Sequence, residues 1–215
     1  MLHSTARPTQ PWRECGSGAA KGTPWTVASS EQVCWCRIYV IYYAGDFKAY
    51  EPIADRNRNG KFDQPIYVGK AVPKGARKGG FGLGATKEPA LLARLKEHAR
   101  SIRATRDLKV SDFFCRYLVV EDIWIPLGES LLIAQFQPLW NVFLAGFGIH
   151  APGKGRKKQV CSNWDTVHPG RKFAAKLPPN QKTALELLKL VADLFAGKAV
   201  PTISPEEAVT EEGEQ

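Results

Sequence analysis

Two short apolar runs constrain this chain more than anything else in it. Tyr39-Val-Ile-Tyr-Tyr-Ala-Gly45 is β-branched and aromatic and stops at a glycine. About twenty polar and charged residues later, Ile66-Tyr-Val-Gly-Lys70 repeats the pattern in shorter form. Two such runs joined by a loop read as an antiparallel hairpin. Strands are expected over 33–43 and 66–72, and Asp55-Arg-Asn-Arg-Asn-Gly60 reads as the polar turn between them. A third strand is expected over 113–121. The hairpin puts tyrosines and a lysine at its ends. A phenol has an ordinary pKa of about 10. Nearby positive charge makes its ionised form easier to reach. A basic protein built on this hairpin can therefore bring a base to a phosphodiester.

The chain is strongly basic, with a formal charge of +9 and a pI near 9.4. Five glutamates (Glu206, Glu207, Glu211, Glu212 and Glu214) lie in the last ten residues; with those five set aside, +9 becomes +14. A basic body of this kind points to a polyanion, most often nucleic acid. The length of 215 residues suits one domain with appendages. We expect a Pro/Gly/Ser/Thr-rich arm over 1–30, one domain over 31–200, and a disordered acidic tail over 201–215. Five cysteines without regular spacing argue against both a disulfide framework and a zinc site, and read as reduced thiols of a cytoplasmic protein. No run is long enough to span a membrane, and the N-terminus lacks an apolar signal core.

Helical periodicity marks three further stretches. Leu91, Leu92, Leu95 and Ile102 recur at 3–4 spacing over 88–105, which sets Arg94 and His98 on one face. On spacing alone that pair reads as part of a solvated basic face. A second helix is expected to start near Trp124, with Glu129 in its first turn as a partner of the helix dipole and Leu132, Ile133 and Phe136 buried. Pro138 ends it. The clearest amphipathic helix covers 180–197, with Leu185, Leu187, Leu188, Val191, Leu194 and Phe195 as a packing face. Two basic stretches interrupt these elements. The glycine-rich loop Lys74-Gly-Ala-Arg-Lys-Gly-Gly lacks the spacing of a nucleotide-binding loop and reads as a segment that tracks a nucleic-acid backbone. The region 146–176 mixes Lys and Arg with glycine and planar side chains, a composition that suits gripping a nucleic acid.

Read together, these motifs resemble the GIY-YIG nuclease superfamily. Arg37-Ile-Tyr39 stands where that family has Gly-Ile-Tyr, and Tyr67-Val-Gly69 matches its second motif. Tyr42 is the alternative to Tyr39 if the strand register slips; the residues that follow Tyr39 favour Tyr39. Arg94 fits the family's arginine on the next helix. Glu129-Ser-Leu-Leu-Ile-x-x-x-Gln-Pro-Leu-Trp-Asn141 matches its glutamate helix and the asparagine beyond. Arg94-x-x-x-His98, Trp140-Asn-x-x-x-x-Gly-Phe-Gly148, His150-x-Pro-Gly-x-Gly-Arg156 and Trp164-Asp-x-x-His-Pro-Gly-Arg171 resemble one branch, the small homodimeric type II restriction endonucleases that cut CCGCGG.

The resemblance implies an α+β fold: a small, mostly antiparallel three-stranded sheet flanked by helices. It implies hydrolysis of double-stranded DNA by a homodimer with one Mg²⁺ per active site. In the roles it carries over, Glu129 holds the metal and Arg94 binds the attacked phosphate. Tyr39 orients or deprotonates the water, Tyr67 hydrogen-bonds beside it, His98 takes a proton from the tyrosine or fixes it, and Asn141 braces the site. Which group is the base stays open. Lys70, Lys74, Arg77, Lys78, Arg156, Lys157, Lys158, Arg171 and Lys172 are the candidates for contact with DNA. Two other functions fit less well: a repair or homing nuclease with the same core, and a basic DNA-binding module without catalysis.

Overall fold

The computed structural model describes residues 13–14, 37–72, 90–149 and 159–202. The fold is α+β, the expected class. Its centre is an antiparallel sheet in the order β1-β4-β2-β3, formed by β1 (Arg13–Glu14), β2 (Arg37–Tyr43), β3 (Pro65–Ala71) and β4 (Phe113–Val119). Three long strands were expected. The N-terminal arm adds the two-residue β1, which pairs Arg13 with Tyr117 and Glu14 with Arg116. The first two runs do form a hairpin, with Tyr39 opposite Gly69 and Ile41 opposite Tyr67.

Every residue of β2 is buried. Helices cover both faces of the central strand, so an uninterrupted apolar run is what its environment selects. Helix α2 (Ala90–Ala104) buries Leu91, Leu95, His98, Ala99 and Ile102, a single stripe at helical spacing. Helix α3 (Ile125–Phe136) lies against the other face. It comes close because residue 128 is glycine: a Cβ there would sit 2.5 Å from Ile38 Cδ1. The short helix α4 (Leu139–Val142) is buried at all four positions and packs on β3.

Three expectations need correction. The polar stretch after β2 is not all turn: it forms helix α1 (Glu51–Asn57), with Pro52 in its first turn and Ile53, Ala54 and Asn57 buried. The turn lies beyond it, with Asn59, Gly60 and Phe62 at positive φ. Asn57 closes the hairpin by donating to the carbonyls of Tyr43 (2.9 Å) and Gln64 (2.8 Å) and accepting from the Gln64 amide (3.0 Å). Glu129 is not in the first turn of its helix; α3 begins at Ile125, and that first turn holds no acid. The region 159–176 is also more ordered than its composition suggests, with helix α5 (Asn163–Val167) capped by Ser162. Helix α6 (Ala184–Phe195) forms as expected behind a Thr183/Glu186 capping box, yet Leu185 is 79% exposed and only Leu187 and Val191 are fully buried.

Among the described residues no helix is long and apolar enough to cross a membrane. The glycine-rich loop with Lys74, Arg77 and Lys78, the segment holding Arg156, Lys157 and Lys158, most of the arm and the tail from 203 lie outside the described residues.

Candidate active site

The edge strand β3 presents alternate residues to opposite faces. Tyr67 and Gly69 face α2, with Tyr39; Lys70 faces α3, with Ile38. The site therefore wraps an edge of the sheet and draws on both sides of it.

On the α2 side, Tyr39 and Tyr67 are 0% exposed and their ring centroids are 6.2 Å apart. Gly69 is what allows Tyr39 to lie where it does. A Cβ at that position would be 2.6 Å from the Tyr39 hydroxyl and 2.9 Å from Tyr67 Cε1. Residue 69 must therefore lack a side chain for the phenol to cross the strand. His98 belongs to the buried stripe of α2, so it is not part of a solvated basic face. Its Nε2 shares a 2.6 Å hydrogen bond with the Tyr39 hydroxyl, and the proton is placed on one atom or the other by the imidazole tautomer. Phe147 stacks on the His98 ring at 4.6 Å and 15°, and meets Tyr67 edge-on at 5.0 Å. Arg94 sits one turn before His98. It is 16% exposed and donates to Glu97 (3.2 Å) and to the Gly148 carbonyl (3.1 Å).

On the α3 side, Glu129 is fully buried and its Oε2 accepts from Lys70 Nζ at 2.7 Å. A buried carboxylate needs such a partner, because the cost of removing its charge from water is several kcal/mol. Lys70, expected at a phosphate, here balances the carboxylate. Asn141 is spent on the strand between the two sides: its amide donates to the Val68 carbonyl and accepts from the Val68 amide, both at 2.8 Å. It completes the hydrogen bonding that an edge strand otherwise leaves open.

The other tyrosines of β2 differ from Tyr39. Tyr42 packs with Phe62 and lies beneath Arg116, on the opposite face from His98. Burial raises its phenol above the ordinary value despite Arg116. Burial likewise pushes Tyr43 up to about 12, against a hydrogen bond from the Phe47 amide. Neither is suited to ionise near neutral pH.

Two of the expected DNA contacts can be located beyond Lys70. Lys172 is exposed. Arg171 is not available to DNA: it is 5% exposed and holds Asp165 with two 2.6 Å bonds. Sequence reading missed a second tyrosine–histidine pair, in which Tyr50 and His168 share a 2.5 Å bond and His168 Nδ1 meets Asp107 at 2.6 Å. Trp140 also donates to Tyr50. Burial holds the Tyr50 phenol well above its ordinary value. In the sequence the Trp164-Asp-x-x-His spacing marks His168 alone; nothing local marks Tyr50 or Asp107 as its partners.

The donors present also test the kind of metal the site can take. Among the described residues no three of His, Cys, Asp and Glu converge on one point, which excludes from that set a site of the structural-zinc type. One buried carboxylate is a donor set that fits a hydrated Mg²⁺, which binds through one or two carboxylates and takes substrate phosphate oxygens besides.

A family model, the Eco29kI GIY-YIG domain, matches residues 31–202. No curated protein matches the chain.

Proposed function

Because the chain belongs to the Eco29kI GIY-YIG domain family, a family of restriction endonucleases, we propose that it is a type II restriction enzyme. Its reaction is hydrolysis of both strands of duplex DNA at a short palindrome, CCGCGG. The observation that carries this reading is the 2.6 Å bond between Tyr39 and His98, with Arg94 one helical turn away. That arrangement supplies a proton path beside a fixed cation, which is what phosphodiester hydrolysis asks of a protein.

The attacking water gives a proton to the Tyr39 oxygen as Tyr39 passes its own to His98 Nε2. Neutral imidazole suits this role because its ordinary pKa lies near 6.5. Tyr67 holds the water in line. Arg94 binds the attacked phosphate and stabilises the charge that grows on its oxygens in the transition state. Glu129 would hold a divalent cation such as Mg²⁺, which when bound would supply neutralisation of phosphate charge. Lys70 balances the Glu129 carboxylate at 2.7 Å. Asn141 keeps Val68, and with it Tyr67 and Gly69, in place. Lys74, Arg77, Lys78, Arg156, Lys157, Lys158 and Lys172 remain the candidates for contact with DNA; arginine paired with guanine is the commonest way to read a G·C-rich site. A palindrome calls for a two-fold dimer with one active site per strand. The enzyme would act in the cytoplasm, where the DNA is.

Purified protein incubated with long unmethylated duplex and Mg²⁺ tests this. Discrete fragments ending at CCGCGG, lost with EDTA and lost in Glu129→Gln, are expected. Cleavage confined to branched DNA would move the assignment to a repair enzyme. Salt-sensitive binding without any cleavage would leave a DNA-binding module.

A further inference from the structure

Arg171 spends all five of its N–H donors inside the protein. Nε and Nη2 hold the two Asp165 oxygens at 2.6 Å each. Nη2 also donates to the Gly146 carbonyl at 2.7 Å, while Nη1 donates to the carbonyls of Phe147 (3.0 Å) and Ile149 (2.9 Å). The guanidinium lies between two rings, 4.6 Å from the centroid of Trp164 and 4.8 Å from that of Phe173. Five donors in a rigid fork are the full complement of this side chain, and no lysine reproduces them.

The backbone gripped in this way is the stretch that touches the active site. Between its held carbonyls lies Gly148, whose own carbonyl accepts from Arg94 Nη2 at 3.1 Å. Phe147, held at its carbonyl, stacks its ring on His98. Gly146 is also pressed against α5: a Cβ there would lie 2.2 Å from Ser162 Cβ, and its φ is +110°. The segment 146–149 is therefore held at three carbonyls by Arg171 and crowded at Gly146 by Ser162.

We propose that the Asp165–Arg171 pair is a positioning device for catalysis: it holds the 146–149 backbone so that the Gly148 carbonyl orients Arg94 and the Phe147 ring orients His98. The proposal rests on the nuclease reading. Arg171, 5% exposed, is a positioning residue that acts through the backbone it holds.

The test is single-turnover cleavage by Arg171→Lys, by Arg94→Lys and by the double variant, with DNA affinity measured in parallel and temperature kept well below each unfolding midpoint. Arg171→Lys should lower the cleavage rate constant roughly 10- to 100-fold, the scale expected when a catalytic group is misplaced by about 1 Å. DNA affinity should stay within about twofold. In the Arg94→Lys background the same change should slow cleavage at least threefold less than it does alone, since residues acting through one contact are not additive. Weakened DNA binding with an unchanged rate constant would overturn the proposal, and so would strictly multiplicative rates. If Arg171→Lys does not fold, Asp165→Asn is put through the same three readouts and decides by the same criteria. A wild-type protein that never cuts defeats the nuclease reading and this role with it. A wild-type protein that cuts, beside an Arg171→Lys protein that cuts equally well, defeats only this role.

Discussion

Gly69→Ala adds one methyl group at the point where the two halves of the proposed proton path meet. The new Cβ would lie 2.6 Å from the Tyr39 hydroxyl, 2.8 Å from Tyr39 Cζ and 2.9 Å from Tyr67 Cε1. Ordinary contact begins near 3.4 Å, so the Tyr39 ring must retreat by about 0.8 Å. Tyr39 is fully buried and its hydroxyl is tied to His98 at 2.6 Å. A retreat of 0.8 Å stretches that bond toward about 3.4 Å or turns it off axis, beyond the usual range for a hydrogen bond. Two consequences follow. Overpacking a filled core costs about 1–3 kcal/mol, partly offset by the 0.5–1 kcal/mol that alanine gains over glycine within a strand. We therefore expect a net loss of about 0–2.5 kcal/mol in urea unfolding. Displacing the proton acceptor by nearly 1 Å should slow cleavage on the order of a hundredfold. The assay is single-turnover cleavage of duplex DNA beside a urea titration. A folded Gly69→Ala protein that cuts within about threefold of wild type would refute the geometry argued for Tyr39.

Three other outcomes are expected. Tyr39→Phe keeps the core filled and removes only the hydroxyl, so cleavage should fall about 10²- to 10⁴-fold, the range for loss of a general acid–base group, with DNA affinity unchanged in a filter-binding assay. Asn141→Ala strips the partners from both Val68 backbone groups, and at about 1–3 kcal/mol for each group left unsatisfied, eased by water at a sheet edge, unfolding in urea should show a loss of about 2–3 kcal/mol. For Asp107, burial alone would raise the carboxyl, but the hydrogen bond and charge of His168 outweigh it and hold it below its usual range. A carboxyl lowered in the folded state adds stability above its unfolded pKa, near 3.9, and loses that share as pH falls through the lower, folded value. The thermal midpoint of Asp107→Asn should therefore lie below wild type at pH 7, and the gap should close in acid; a gap that stays constant to pH 2 would count against this account.

What the sequence disclosed depended on how far each signal reaches along the chain. β2 was legible because the six β-branched and aromatic residues Ile38 to Tyr43 leave few alternatives, β3 because Ile66-Tyr-Val repeats that character, and α2 because its stripe runs from Leu91 to Ile102. Helix α1 was hidden by its brevity and by the turn-forming Asn59 and Gly60 that end it. The order of Tyr39, Tyr67, Arg94, Glu129 and Asn141 was readable as a motif, whereas the bond from Lys70 to Glu129 was not, since it joins residues 59 positions apart. Arg171 misled for a similar reason. In a basic stretch its neighbours suggest an exposed charge, and only the folded chain reveals Asp165 and three carbonyls converging on it.

The two lateral borders of the sheet have a meaning for life in a crowded solution. A bare border of backbone amides and carbonyls invites a strand from another molecule, the first step toward aggregation. Along β4 that border is taken by two residues of β1. Among the described residues, along β3 it is the Asn141 amide that occupies Val68, imitating one rung of a ladder with a side chain. Under the nuclease reading proposed above, a whole covering strand there would shut DNA out of the site. A single asparagine satisfies the middle of the strand, and beyond it only Lys70 keeps part of its side chain at the surface.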